Sequence, residues 1–457
     1  MTGRAWGVIL LILLLAAAGG GVWLRCEGTA PEIEAPEALL IGRDGTSLEV
    51  RVSDPDSGVR EIAIRLRHEK GDQLLFERFY PGNPFTGGIA KPHADPIEIA
   101  IDPKSLGMDD GEAVLEVNAK DWSWAETFSG NSGVLEIPIR VDLMPPRIGV
   151  ESGLTYVRRG GAAAVVYSLD ETTSRDGVEV GDAFVPGFPF PSEAAGQKTP
   201  ARGRRIAIFA VPRDAAANAP ILAVAEDEAG NRTAVGWMTR LQEREFPDVR
   251  INLGGGFLSS KVPELAASLG VAGDDPISTF QKINSETRAA NERQIREIVA
   301  SSTAEPHWRG AFQQLRNSAV TSLFAEHRSY FAEGEKVSEA IHYGYDLAST
   351  AGAPITAANA GRVIFQDALG IYGNCVVLDH GLGLTSLYAH LSRIDVKEGD
   401  LLEKDQRLGL SGATGLAGGD HLHFAVMVGS TYVDPKEWWD PKWVSEHIEA
   451  RLATPAP

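Results

Sequence analysis

Short runs in which apolar and polar residues alternate fill residues 30–245, and this pattern constrains the fold more than any other feature. Residues 47–52, 61–66, 134–139 and 205–209 show it most clearly. A period of two is typical of half-buried antiparallel strands, because successive side chains point to opposite faces of a sheet. Strand-like runs return at 361–365, 374–378, 384–388 and 423–427. We therefore predict a mainly β chain.

The first half of the chain contains a weak internal repeat. Asp121, followed by Asn131, is echoed by Asp227, followed by Asn231. The offset is about the length of one immunoglobulin-like sandwich, on the order of one hundred residues. We predict two immunoglobulin-like β-sandwich modules, at 30–144 and 145–246, which act as spacers or as binding domains.

The second half of the chain changes character twice. The 457 residues are too many for one core. Residues 247–328 are predicted to form a helical connector, with an amphipathic helix at 279–301 and a second helix at 308–324. Residues 329–440 are predicted to form a small antiparallel β domain, and 441–457 a C-terminal tail.

An apolar run covers residues 6–24, between Arg4 and Arg25. Its length suits a helix that crosses a bilayer, and the alternative is a cleaved signal peptide with Ala16 to Ala18 as the small-residue site. Residues 1–25 are thus predicted to be a membrane anchor or a signal. Both interpretations place the bulk of the chain outside the cytoplasm, held at the cytoplasmic membrane or, after cleavage, secreted.

Composition excludes some partners. The formal net charge is −19 and no basic patch stands out, which argues against nucleic acid. The two cysteines, Cys26 and Cys375, cannot form a disulfide framework. Cys375 lies in an apolar run, where a buried free thiol is expected.

Five of the ten histidines fall between residues 342 and 423. His421 and His423 are two residues apart in a strand-like run, so both rings are expected on one face. His342 and Asp346 add a nitrogen and a carboxylate. A catalytic zinc needs three protein ligands and one open position. The residues predict that His342, Asp346 and one imidazole of the His421/His423 pair bind Zn²⁺, which leaves the other imidazole as a base.

Further residues of this region have two interpretations each. His390 is a candidate acid or electrostatic partner of the metal site. Tyr388 is a candidate substrate contact or a core residue. His380 is expected to make a structural hydrogen bond, and the alternative is a bond to the metal. His327 is expected to be solvated, or to make an inhibitory contact with the metal.

Four segments together resemble one known family. They are residues 341–349, 372–381, 387–391 and 409–424. The sequence resembles the lysostaphin and LytM type of zinc endopeptidase, which is metallopeptidase family 23. The resemblance covers about one hundred residues and keeps the order of all four segments.

The resemblance assigns roles to single residues. It implies zinc bound by His342, Asp346 and His423, with His390 and His421 as catalytic histidines. It implies a groove across a small β core and peptide stems or cross-bridges of peptidoglycan as substrate. Two alternatives remain at this point: a catalytically silent LytM-like regulator of a wall amidase, and a wall-binding scaffold protein.

Overall fold

The computed structural model describes residues 3–83, 85–88, 96–191 and 203–453. They form two compact units. The first unit comprises residues 1–145 and 226–232, and the second comprises 146–225 and 233–457. Sheets dominate both units, so the predicted mainly β fold is confirmed.

The first unit contains ten strands and three helical segments within its described residues. The strands are β1 (Glu32–Glu34), β2 (Leu39–Ile41), β3 (Thr46–Ser53), β4 (Val59–His68), β5 (Gly71–Phe79), β6 (Gly82–Asn83), β7 (Gly87–Gly88), β8 (Ile97–Ile101), β9 (Gly111–Asp121) and β10 (Ser132–Val141). The helical segments are α1 (Gly3–Arg25), α2 (Pro103–Leu106) and α3 (Ala125–Phe128).

Two sheets of the first unit enclose one core. One sheet has the order β1-β3-β8, and the other has the order β2-β10-β9-β4-β5. Buried side chains from both sheets belong to the same cluster, with Val50 and Ile99 from the first sheet and Ile64 and Leu115 from the second. The alternation read from the sequence produces this core, because each strand turns its apolar row inward. The immunoglobulin-like topology stays a prediction.

Helix α1 coincides with the apolar run at the start of the sequence. Across the described parts of the chain, we find no helix with both the length and the apolar character required to cross a membrane. The predicted membrane anchor is therefore not confirmed.

The second unit begins with strands at the positions of the predicted second module. They are β11 (Ile148–Val150), β12 (Thr155–Arg158), β13 (Ala162–Leu169), β14 (Arg175–Val180), β15 (Ala183–Pro186), β16 (Phe188–Pro189), β17 (Arg204–Ala210), β18 (Ile221–Glu226), β19 (Arg232–Gly236) and β20 (Thr239–Gln242). They form sheets with the orders β11-β13-β17-β16 and β15-β14-β18-β19, and a parallel pair β12-β20.

The C-terminal part adds fourteen strands within the described residues. They are β21 (Asp248–Asn252), β22 (Ala319–Ser322), β23 (Glu326–Ala332), β24 (Glu335–His342), β25 (Tyr345–Ala348), β26 (Pro354–Thr356), β27 (Gly361–Ala368), β28 (Asn374–Gly381), β29 (Leu384–Leu391), β30 (Arg393–Ile394), β31 (Leu401–Leu402), β32 (Arg407–Leu410), β33 (Leu422–Val428) and β34 (Thr431–Val433). The main sheet has the order β22-β25-β33-β29-β28-β27-β31, with β34 paired to β33.

Helices lie before and after this sheet. They are α4 (Val262–Leu269), α5 (Pro276–Lys282), α6 (Arg288–Ile298), α7 (Pro435–Trp439), α8 (Pro441–Val444) and α9 (Ala450–Leu452). Single π turns at Phe257–Lys261, Ile283–Thr287 and Ser445–Glu449 adjoin them, and a 3₁₀ turn covers Gly370–Tyr372. The helix predicted at 279–301 corresponds to α5, the π turn and α6.

The second helix predicted in the connector is wrong. Residues 301–318 are irregular, and β22 follows. The apolar residues of this segment do not form one face of a helix. Trp308 and Phe312 are buried and contact the Trp438 ring. The backbone N–H of Phe312 donates to the Trp438 carbonyl, and that of Gln313 donates to the Ala358 carbonyl. These bonds to other segments replace the bonds of a helix.

Candidate active site

The register of the main sheet brings distant residues to one place. Asp346 on β25 lies directly opposite His423 on β33, and Ala389 on β29 lies opposite His423 from the other side. His342 is the last residue of β24. The pairing places Asp346 next to His423, and His390 follows Ala389. His342 belongs to the separate sheet β21-β23-β24 and reaches the same place because only two residues separate β24 from β25.

Three ligand-type atoms form a nearly equilateral triangle. The Nε2 atom of His342 lies 2.9 Å from Oδ1 of Asp346 and 2.9 Å from Nδ1 of His423. The Nδ1 atom of His423 is also 2.9 Å from the same carboxylate oxygen. All three side chains are buried, with 4–8% of each residue exposed.

The surroundings of these three side chains affect their protonation. Nδ1 of His342 lies 2.9 Å from the Leu323 carbonyl, which can only accept, so Nδ1 carries a proton and Nε2 is the nitrogen that faces Asp346 and His423. Burial lowers the pKa of His423 to about 4, which keeps that ring neutral. Burial opposes ionisation of Asp346, but its histidine neighbours hold its pKa well below the ordinary value.

An ionised carboxylate and neutral imidazoles are the protonation states that metal ligands require. Two nitrogen ligands and one oxygen ligand suit zinc, which takes three protein ligands at catalytic sites. One ligand atom from each residue lies within 4.8 Å of the other two. The donor set of His342, Asp346 and His423 thus fits a zinc ion.

Arg328 on β23 supports this cluster from behind. Its Nη2 atom donates to Oδ2 of Asp346 at 3.1 Å, and its Nε atom donates to Glu326 at 3.1 Å. The guanidinium occupies one carboxylate oxygen and leaves Oδ1 turned toward the histidines. Contacts of this kind fix the orientation of metal ligands.

Two further histidines face the same space. The ring centroids of His390 and His421 are 4.8 Å apart, and those of His390 and His423 are 5.9 Å apart. Nδ1 of His390 donates to the Thr414 carbonyl and Nδ1 of His421 donates to the Gly419 carbonyl, both at 2.8 Å. Each ring therefore presents an unprotonated Nε2 when neutral.

The two rings differ in their electrostatics. Burial, with the neighbouring histidines, lowers the pKa of His390 to about 3. Burial also lowers the pKa of His421, but hydrogen bonding to Asp346 and its charge outweigh burial, and the net pKa is raised. Nε2 of His421 is 3.5 Å from Oδ1 of Asp346.

A β-bulge aims His390 at the site. Asn374 pairs with Leu391 but Val376 pairs with Tyr388, so Ala389 and His390 together oppose one residue of β28. His390 has a φ of +63°, a conformation that non-glycine residues seldom adopt. Such bulges redirect side chains next to active sites.

A cavity of about 390 Å³ contains the cluster. Its far wall comes from the segment between β21 and α6, including Leu253, Phe257, Phe280 and Arg288. Tyr372 lines the cavity as well, and its hydroxyl donates to Glu292 of α6 at 2.6 Å. The predicted connector therefore closes one side of the site.

Several predicted positions lie away from the cavity. Tyr388 is 1% exposed, and its hydroxyl binds the Ala358 N–H and Ser386, so the structure places it in the core instead of at the substrate. His380 makes the expected structural bonds, to the Ala360 carbonyl and to Ser386, both at 2.7 Å. Burial lowers the pKa of His380 to about 4.

Two other positions have local partners. His327 forms a hydrogen bond with Asp248 at 2.9 Å. The predicted alternative, an inhibitory contact of His327 with the metal, is not seen, because the neighbouring Arg328 contacts Asp346. The sequence analysis missed Arg328, although strand alternation from Glu326 places residues 326 and 328 on one face. Cys375 is a buried free thiol whose pKa burial raises.

Part of the chain matches a known protein family and several known proteins. Residues 340–435 match the sequence model of Peptidase family M23. The peptidoglycan DD-endopeptidase ShyB of Vibrio cholerae serotype O1 is 37% identical over 115 residues, which cover 25% of this chain and 26% of ShyB.

Two other relatives match the same part of the chain. The DD-carboxypeptidase/endopeptidase Mpg of Neisseria meningitidis serogroup B is 36% identical over 95 residues, covering 21% of this chain and 22% of Mpg. Lysostaphin of Staphylococcus staphylolyticus is 36% identical over 97 residues, covering 21% of this chain and 20% of lysostaphin. This chain spans 20–26% of the length of these relatives. The chain carries a Peptidase M23 domain at its C-terminal end.

Proposed function

We propose that this protein is a zinc metalloendopeptidase that hydrolyses peptide bonds in the stem or cross-bridge peptides of bacterial peptidoglycan. One observation carries the proposal. His342, Asp346 and His423 turn one ligand-type atom each toward a common point, with Nε2 of His342 2.9 Å from Oδ1 of Asp346 and 2.9 Å from Nδ1 of His423. The match of residues 340–435 to Peptidase family M23 supports the same conclusion.

His342, Asp346 and His423 would hold the zinc ion. When bound, zinc acidifies a water and polarises a carbonyl group. Arg328 keeps the Asp346 carboxylate oriented, and the Leu323 carbonyl keeps the His342 ring in the tautomer that binds metal.

His421 and His390 then handle the proton. Nε2 of His421 accepts it from the attacking water, because the Gly419 carbonyl holds the other proton of the ring on Nδ1. His421 then passes this proton to the leaving amine. His390, fixed in the same way by Thr414, stands 4.8 Å from the His421 ring, and its Nε2 donates to the developing oxyanion only when that nitrogen also carries a proton.

The names of two relatives support our proposal for the substrate and the location. ShyB is named a peptidoglycan DD-endopeptidase, and Mpg a DD-carboxypeptidase/endopeptidase. We infer that peptidoglycan peptides are the partner of the cavity and that the site works outside the cytoplasm, where this substrate is found.

Defined muropeptides test the proposal. The zinc-loaded full chain should convert cross-linked dimers into products whose masses show one added water at a peptide bond. An Asp346→Ala variant should be inactive, and a His68→Ala variant, changed in the first unit, should match the native rate. A folded, zinc-replete chain that leaves every dimer intact would overturn the proposal in favour of a regulator or scaffold.

A further inference from the structure

Three carboxylates meet in the first unit, apart from the peptidase site. They belong to Glu27, Asp54 and Asp121, and one oxygen of each lies within 4.8 Å of the others. Glu27 follows α1, Asp54 follows β3, and Asp121 ends β9. Asp54 and Asp121 are 3% and 0% exposed. Like charges so close in a buried place repel strongly unless a cation or a proton joins them.

One oxygen of this cluster has no partner. Oδ1 of Asp54 accepts hydrogen bonds from the N–H groups of Asp56 and Ser57, at 2.9 and 3.0 Å. Oδ2 of Asp54 is buried and has no hydrogen-bond partner among the described atoms. Buried anionic oxygens are rarely left unsatisfied, because the loss of hydration is costly. A buried oxygen without a partner, beside two other carboxylates, is typical of a cation-binding site.

The other members are held in place by donors on their outer sides. Oδ1 of Asp121 accepts from the N–H groups of Ser123 and Asn131, at 2.9 and 2.8 Å. The Asn131 amide donates to Oδ2 of Asp121 at 2.8 Å and to the Glu27 carbonyl at 3.1 Å. Burial, together with the charge of Glu27, raises the pKa of Asp121 to about 6. The Glu27 carboxylate accepts from Ser57 Oγ at 2.9 Å and from the Thr29 N–H at 2.8 Å, so these donors orient the cluster.

The internal repeat supplies a comparison. Asn231 donates to Asp227 through its N–H at 2.9 Å and its amide at 2.8 Å, and its amide also donates to the Asp142 carbonyl at 2.7 Å. These bonds repeat those of Asn131 with Asp121 and Glu27. Within the described residues, however, no third acidic side chain completes a cluster around Asp227.

The counterpart of Asp54 behaves differently. Asp170 follows β13 as Asp54 follows β3, but it is exposed and accepts from the Arg147 N–H at 2.7 Å. The hydrogen bonds between Asp and Asn in the repeat therefore form without a cluster of three carboxylates. The Asp–Asn hydrogen bonds do not explain why Glu27 and Asp54 lie next to Asp121.

We propose that Glu27, Asp54 and Asp121 bind a calcium ion. The cluster offers carboxylate oxygens and no nitrogen or sulfur ligand, which is the set that hard cations prefer. Calcium accepts irregular geometry and completes its shell with carbonyls and water. The ion would tie residue 27, on the segment leaving α1, to the loops after β3 and β9.

The test uses the full-length protein and calcium chloride. After treatment with a chelator, titration should show one calcium site, and calcium at about 1 mM should raise the melting temperature, since extracellular calcium modules bind in roughly this range. Asp54→Asn should weaken calcium binding at least tenfold. Asp170→Asn, the same change at the counterpart position, should bind calcium as the native protein does.

The melting temperatures of Asp54→Asn and native protein, compared with and without calcium, distinguish calcium binding by Asp54 from a purely structural role. In chelator, Asp54→Asn should melt at or above the native temperature, because the substitution relieves repulsion. With calcium, it should melt below the native protein. Both proteins keep the peptidase site, so its metal affects them equally.

Glu27→Gln provides a second variant outside the strands, and the same reversal is expected from it. The proposal is overturned if native protein shows no calcium-dependent shift, if Asp54→Asn and Glu27→Gln keep the full shift, or if both melt below native protein in chelator.

Discussion

Nε2 of His342 lies 2.9 Å from Nδ1 of His423, although the two residues are 81 positions apart in the chain. The Leu323 carbonyl fixes the proton of His342 on the far side of its ring. The two nitrogens and Oδ1 of Asp346 converge on one point, each 2.9 Å from the other two. A metal-dependent peptidase needs three ligand atoms that converge in this way.

Arg328 should contribute to metal affinity without binding the metal. Arg328→Ala frees Oδ2 of Asp346 and lets the carboxylate rotate, so zinc affinity should fall about 10- to 100-fold. Competition with a zinc chelator measures it. Arg316→Ala, which removes an exposed guanidinium paired with Asp405, should have no effect. Unchanged affinity in Arg328→Ala would show that the carboxylate is oriented without it.

Gly344 gives the His423 ring its space. A Cβ atom at residue 344 would lie 2.7 Å from Cε1 and Nε2 of His423 and 2.7 Å from the Phe424 carbonyl oxygen. Gly344→Ala should displace the ring, with at least a tenfold loss in kcat/KM and a lower zinc content. Gly255→Ala, where nothing lies within 4 Å, is the matched control. Native activity in Gly344→Ala would mean that the ring tolerates the shift.

The segment between β21 and α6 should limit access of large substrates. Asn291 of α6 accepts from the Ile371 N–H at 2.9 Å, and Glu292 accepts from Tyr372. Loss of the buried bond costs about 1–3 kcal/mol, so Asn291→Ala should loosen this wall. Digestion of intact sacculi should accelerate relative to a short peptide.

Arg293→Ala, on the exposed face of the same helix, should keep the native ratio of the two rates. If Asn291→Ala also keeps that ratio, the wall does not restrict access. A chain shortened to begin near residue 329 is a poor test, because β23 pairs with β21 and β24 through residue 329.

Glu437 should make stability depend on pH. Burial raises its pKa from 4.5 to about 8, and its carboxylate oxygen accepts from the Ala162 N–H at 3.0 Å. The folded chain therefore holds this proton more tightly than the unfolded chain. The resulting stabilisation is full below pH 4.5 and is lost as the pH rises toward about 8.

Thermal unfolding between pH 5 and 8 tests this expectation. Glu437→Gln should lose less stability over that range than the native protein, whereas Glu446→Gln, at a 59% exposed side chain, should follow the native profile. Parallel profiles for Glu437→Gln and native protein would assign the pH dependence to other groups.

The strands and the convergence of His342, Asp346 and His423 could be predicted because their signals are local. Alternation marked β3, β4 and β10, and the spacing of His421 and His423 placed both rings on one face. The irregular segment at 301–318 could not be predicted in this way. Trp308 and Phe312 have helical spacing, but their partner is Trp438, more than one hundred residues later.

The supporting contacts of the site also depend on distant partners. The Leu323 carbonyl selects the His342 tautomer, and the bulge at Ala389 and His390 appears only when β29 pairs with β28. Tyr388 shows the reverse case. Its neighbours in sequence suggest the cleft, but its hydroxyl finds Ser386 and Ala358 in the core.

Zinc content and turnover of two neighbouring variants test the central claim most directly. His423→Ala removes a ligand, so zinc and activity should fall together. His421→Ala leaves the three ligands whole, so zinc should stay near one per chain while turnover falls about a hundredfold to ten-thousandfold, the contribution of a positioned base. Zinc lost from His421→Ala but kept in His423→Ala would reverse the two roles, and full activity in both variants would contradict the account.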